Sequence, residues 1–138
     1  MSSNGSFTFE CLTSIKGVGA KTASVILADM PDVNLFENAK QFAAFIGVTP
    51  SHFQSGTSVN GKSHISRLGS AKIRKTLHMS AMVVKNHNLH FADFVKKLEA
   101  RGKCAKVIIV AIMRKLMHIF FGILKNNSPF DKKLAFGA

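Results

Sequence analysis

Lys16-Gly17-Val18-Gly19-Ala20-Lys21-Thr22-Ala23, followed at once by the apolar run Val25-Ile26-Leu27-Ala28, decides how this chain folds. Two glycines flanking a valine make a tight turn that residues with a Cβ resist. Upstream, Phe7 to Ile15 reads as a short helix with Phe7, Leu12 and Ile15 turned inward. Downstream, Ala20 and Ala23 are small enough to let a second helix approach closely. Helix, glycine turn and helix give a helix-hairpin-helix over 11–30. In such a motif Gly17, Gly19 and Lys21 surround the free amides that open the second helix, a place for a phosphate oxygen. The plain alternative is an αα-hairpin that packs and binds nothing.

Working outward, Met30-Pro31-Asp32 breaks the second helix. Helical spacing resumes from Phe36 to Ile46, with Phe36, Ala39, Phe42, Ala43 and Ile46 on one face, and Gly47 and Pro50 close it. Ser70 to Val84 predicts a helix with Ile73, Leu77, Ala81 and Val84 inward and Lys72 and Lys75 outward. A short amphipathic helix follows over 91–100, ending near Gly102. Val107 to Leu124 is almost wholly apolar and just long enough to cross a bilayer. Arg114-Lys115 at its centre would each cost about 2.5–3.5 kcal/mol to insert, so it reads as a core helix and no membrane is expected. Between these helices, Val59-Asn60-Gly61-Lys62 carries a type I′ hairpin signal, which predicts a small β-flap over roughly 56–66. The expectation is therefore an all-α domain with one small β-hairpin: a frayed start over 1–9, a helical domain over 10–131 and a tail over 132–138.

Charge divides the chain at the same place. Residues 1–54 hold three Lys/Arg against four Asp/Glu, and residues 55–138 hold sixteen against three, which makes up the net +12 of the whole. A balance this basic points to nucleic acid or an anionic surface. With 138 residues, 46% of them apolar and twelve Phe, the chain can build a real core, and disorder is excluded. Cys11 and Cys104 are isolated and share no C-x-x-C spacing, which suits a reducing, cytoplasmic setting better than a disulfide scaffold. Met1 to Ser6 has neither the positive charge nor the apolar run of a signal peptide.

The junction itself, Gln54-Ser55-Gly56-Thr57-Ser58 and on to Arg74, is polar, hydroxyl-rich and free of acid. A hydroxyl on a turn beside a glycine can approach a phosphodiester, and basic groups nearby can hold the phosphate. Ser55 is the first candidate and Ser58 the second. His64 is either a general base folded over Ser55 or a solvated strand histidine. His87-x-x-His90 has metal-like spacing but only Asp93 to help it, and reads as an exposed loop. The acidic residues are scattered, so no site for a metal ion is expected in this chain.

Six motifs in order carry a resemblance: Gly17-Val18-Gly19 with Thr22-Ala23, Phe36 through Pro50, Gln54 through Ser58, Ile65-Ser66-Arg67 with Gly69, Ile73-Arg74-Lys75, and Val110 through Leu116. Together they resemble the C-terminal domain of the Piv-invertase-like transposases, the insertion-sequence one-ten family, over about residues 10–131. The resemblance implies a domain that binds DNA and supplies a serine nucleophile for strand cleavage and exchange. That role falls on Ser55, beside Gly56, and the family's basic positions fall on Arg67 and Arg74. Read by their chemistry, these two arginines would clamp the scissile phosphate and Lys62 and Lys72 its neighbours; Arg114 either snorkels with Lys115 from one edge of its apolar helix or contacts nucleic acid or the missing domain. The resemblance further implies a RuvC-like domain holding Mg²⁺, expected to be absent here and needed for activity, a guide RNA in some members, and homo-oligomers of the full-length protein. Two positions depart from the pattern: Ser70 stands where Asn is expected, and Ser63-His64 where many members have Gly-Arg. The rival readings are a non-catalytic helix-hairpin-helix DNA-binding module, an inactive transposase remnant, and, more remotely, a cationic membrane-surface or partner-binding protein.

Overall fold

Nine side chains of one apolar helix, Ala105–Asn126, line the centre of the molecule, and the other elements are arranged around it. The computed structural model describes residues 2–30, 32–44 and 60–129, with side chains from Phe7 onward in the first segment and from Ala71 onward in the last. In chain order the helices are α1 (Ser2–Thr13), α2 (Ala20–Asp29), α3 (Ala39–Ala44), α4 (Asn60–His87), α5 (Ala92–Ala100) and α6 (Ala105–Asn126), with single 3-10 turns at Val33–Leu35 and Leu89–Phe91. Among the described residues there is no strand.

Each helix ends where its chemistry provides an ending. Thr13 and Ser14 turn their hydroxyls back onto the last carbonyls of α1, at Phe9, Glu10 and Cys11, satisfying acceptors that the helix leaves open. A turn follows in which Val18 N–H donates to the Ile15 carbonyl at 2.9 Å. Gly17, its third residue, has φ +107°, the position that a type II turn reserves for glycine. Asn38 Oδ1 accepts from Gln41 N–H, and Gln41 Oε1 accepts from Glu37 N–H, so the start of α3 is capped in both directions. At the end of α5, Gly102 (φ +80°) and Lys103 donate back to Glu99 and Leu98 in a Schellman closure. Asn127, left-handed at φ 52°, stops α6 and accepts a hydrogen bond from the Thr8 hydroxyl of α1.

Ile73, Leu77, Ala81 and Val84 are all fully buried, so α4 presents the face its spacing predicts. They share one buried core with Ile108, Ile112, Leu116 and Phe120 of α6, while α3 adds Phe42, edge-on to Phe36 and tilted against Phe121. Each such side chain contributes about 1.5–3 kcal/mol on burial. α6 is long and apolar enough to cross a membrane, yet Ile108, Ile109, Ile112, Met113, Leu116, Met117, Ile119, Phe120 and Ile123 are core residues of this fold.

Three expectations change. The β-flap is not there over 60–66, which form the opening turns of α4; residues 56–59 lie outside the described ones. Asn and Gly are as welcome at a helix start as in a hairpin. A helix already formed over the following turns adds one hydrogen bond per residue as it extends, whereas an isolated hairpin is marginal. Phe7, expected inside, is 43% exposed. Of the two small residues expected to allow close helix approach, Ala23 is buried between helices but Ala20 faces solvent.

Candidate nucleic-acid interface

α4 carries the chemistry. Its 28 residues contain no Asp or Glu, and hold six Lys/Arg (Lys62, Arg67, Lys72, Arg74, Lys75, Lys85) with three His (His64, His78, His87). One side of it is sealed against α2 and α6. The opposite side, from Ala71 to His87, is open, with Lys72, Arg74, Lys75, His78, Met79, Met82 and Asn86 all exposed.

α2 lies antiparallel on this helix, held at three points. Gly17, just before α2, sits on Val84, so close that a Cβ there would lie 2.5 Å from Val84 Cγ2. Midway, the Thr22 and Ser80 hydroxyls share a buried hydrogen bond of 2.6 Å. At the far end Asp29 pairs with Lys72, Nζ to Oδ2 at 3.4 Å. Asn88, itself buried, fixes the glycine turn from below: its Nδ2 donates to the Lys16 carbonyl and its Oδ1 accepts from His90 N–H.

These contacts sort the candidate residues. Gly17 is used for packing, since both its left-handed φ and its contact with Val84 demand the absence of a side chain. Gly19 is different. It caps α2 with φ −89°, nothing lies within 4 Å of where its Cβ would be, and it and Lys21 are exposed. Gly19, Ala20 and Lys21, which open α2, therefore face solvent, while Thr22 behind them is buried. Lys72 is shared with Asp29, and Arg74 is exposed two residues on. Lys62 and Arg67 fall on the first turns of α4, ahead of the side chains described. Ser55, Gly56 and Ser58 lie outside the described residues. From Ser80, level with the start of α2, back to Lys62 is eighteen residues of α4, about 27 Å at 1.5 Å per residue. The basic residues are therefore spread along the helix, from Lys62 in its first turn through Lys72, Arg74 and Lys75 near its middle to Lys85 in its last turn.

Arg114 stands apart, exposed on α6. Lys115 beside it is half-buried, and burial, then the Arg114 charge, pushes its pKa down. His118, one turn on, is pushed down by burial and by the charges of Arg114 and Lys115, and its Nε2 has no hydrogen-bond partner among the described residues. Among the described residues no group of three His, Cys, Asp or Glu lies where it can hold a metal ion, so they offer no set of ligands that fits Mg²⁺. Sequence reasoning saw Lys72 only as a phosphate contact and missed Asp29, because an acid forty-three residues away leaves no local signal. It also passed over Met79, Met82 and Val83, whose exposure shows only once α2 and α6 have claimed the other face.

Residues 9–96 match the model of the transposase IS116/IS110/IS902 family. The pilin gene-inverting proteins of Moraxella bovis and Moraxella lacunata are each 40% identical over 124 residues, covering 89% of this chain and 38% of theirs. The 43.6 kDa protein of insertion element IS110 from Streptomyces coelicolor is 28% identical over 126 residues, 91% of this chain and 31% of its own length. The chain thus spans between about a third and two fifths of the length of these relatives. With a family match over most of its length and relatives this similar, the chain belongs to the IS116/IS110/IS902 family of transposases.

Proposed function

We propose that this chain is the DNA-engaging part of a transposase or site-specific recombinase, with Ser55 as the nucleophile of strand cleavage. The observation that carries the reading is α4: an acid-free helix of 28 residues that opens five residues after Ser55. The Moraxella relatives are named as inverting a gene, which is strand exchange between two sites on DNA, and a serine ester is one way to conserve a phosphodiester through that exchange. Ser55 Oγ attacks phosphorus and its proton passes to a base. One DNA oxygen leaves as an alcohol, and the phosphate stays as a protein–DNA ester that the reverse step transfers to a new strand. Arg67 and Arg74 neutralise the charge that builds on the phosphate, Lys62 holds its neighbour, and Gly19 with Lys21 takes a more distant phosphate. Ser58 is the alternative nucleophile. A RuvC-like domain bearing Mg²⁺ supplies what these residues lack, a guide RNA can direct the target, and the full-length protein works as an oligomer in the cytoplasm. A second reading, a DNA-binding module without chemistry, is favoured by the absence of an acidic cluster among the described residues.

Covalent trapping separates the two. The chain, with and without a full-length relative, is incubated with suicide DNA substrates carrying the element's junction, and adducts are mapped by mass spectrometry. An adduct on Ser55 that Ser55→Ala abolishes, with DNA binding intact, establishes the nucleophile. An adduct on Ser58 transfers the role. Salt-sensitive binding with no adduct under either condition leaves the module.

A further inference from the structure

The open side of α4 is not uniformly polar. Met79 is 60% exposed, Met82 48% and Val83 44%. Met82 and Val83 lie three and four residues after Met79, so each is its neighbour on the helix surface, about 5–6 Å between Cβ atoms. Lys75 and Asn86 continue the same line at either end, and Lys72, Arg74 and His78 flank it. Apolar side chains left in water at the centre of a basic face mark a contact surface.

Charge decides what covers it. α4 has no acid to offer a basic partner, so a second copy laid against this face would set lysine and arginine against lysine and arginine. Among the described side chains of this face an anionic bilayer would meet three apolar ones, and α4 carries no aromatic residue, too little for an interfacial helix. A nucleic acid satisfies the rim through its phosphates. In a stacked duplex, however, the phosphates and sugars face outward and the base faces are hidden, and it is base faces that bury methionine well. Architectural proteins use apolar wedges, methionine among them, against base steps that have come apart.

Resting on the DNA-binding reading above, we infer that the Met79–Met82–Val83 patch of α4 receives unstacked bases, so that this face prefers DNA opened at the site of contact over intact duplex. Lys72, Arg74 and Lys75 hold the backbone on either side. Such a preference suits a protein of strand exchange, because bases must leave one partner before they pair with another.

The test uses the whole chain and two probes: a fully paired DNA duplex, and the same duplex opened by a central mismatch bubble carrying 2-aminopurine. Wild type is expected to bind the bubble more tightly and to change its 2-aminopurine fluorescence. Met79→Ser with Met82→Ser should lower bubble affinity about tenfold and leave duplex affinity unchanged, while Met79→Leu with Met82→Leu retains the preference. Lys75→Gln should weaken both probes alike and reduce the salt slope by about 1. Wild-type binding to both probes with the serine variant indistinguishable from it overturns the inference and leaves DNA binding standing. So does a sedimentation shift in wild type that the serine variant abolishes while bubble affinity stays, which would give the patch to a second copy. Failure of wild type to bind either probe overturns the DNA-binding reading and the inference with it.

Discussion

Gly17 and Gly19 stand two residues apart in one turn, and the fold asks different things of them. Gly17 holds φ +107° and touches Val84 where a Cβ would collide with both the side chain and the backbone nitrogen. Alanine there meets backbone strain and overpacking together, for a loss of about 2–4 kcal/mol. Gly19 has an ordinary φ and open space around it, so Gly19→Ala should fall within about 0.5 kcal/mol of wild type. Urea unfolding reads the difference as a fall in midpoint for Gly17→Ala at unchanged slope; equal midpoints for both variants would mean the turn relaxes away from α4. The sequence reading treated the two as a matched pair around a phosphate, because two glycines in a row of eight residues look alike until a third element is laid against one of them. That third element, Val84, is sixty-seven residues away. The need for glycine was legible at this turn, and its cause was not.

On the scale of elements, periodicity sufficed wherever one face of a helix is buried. Leu12 of α1, Ile15 of the turn after it, the Ile73-Leu77-Ala81-Val84 stripe of α4 and nine residues of α6 go inside as their spacing predicts, while Phe7 and Val107, at the outer ends of their apolar stretches, stay exposed. It failed at 60–66, where Asn60-Gly61 suits a hairpin and a helix start equally and the decision belongs to the twenty-one residues of α4 that follow. α6 carries a further consequence. Burial and the neighbouring Arg114 and Lys115 charges hold His118 below its ordinary value of 6.5. In the unfolded chain it regains that value, so the unfolded state binds a proton first as pH falls. Stability is therefore full above about pH 6.5 and is lost as pH drops from there through the lowered folded value. His118→Leu removes the titration. Between about pH 7.5 and 5.5 the wild-type melting temperature should fall more than that of the variant. Parallel curves would show that His118 charges as readily in the fold as outside it.

Across the whole molecule, one ion pair bears on how strongly a basic chain can hold DNA. The excess of positive charge is carried almost entirely after residue 54, and the acidic residues of the neutral half contribute little to the α4 face, with one exception. Asp29, at the end of α2, reaches Lys72 and occupies it. The Lys72 end is exposed (64%) and the Asp29 end half-buried (27%), so solvent still screens the pair and it adds on the order of 1 kcal/mol to stability. Its effect on polyanion binding is larger in principle, since each phosphate neutralised releases counterions and steepens the dependence of log K on log salt by about 0.9. With six to ten phosphates engaged, affinity would fall about 10³–10⁵-fold between about 50 and 200 mM salt. Asp29→Asn should leave the melting temperature nearly unchanged, tighten DNA binding at low salt and steepen that slope by about 0.9, because Lys72 then becomes available to a phosphate. Fluorescence anisotropy across a salt series measures both. An unaltered slope in Asp29→Asn would mean either that Lys72 already leaves Asp29 when DNA arrives or that DNA does not reach this end of α4. Lys72→Gln tells these apart: it flattens the wild-type slope in the first case and leaves it untouched in the second.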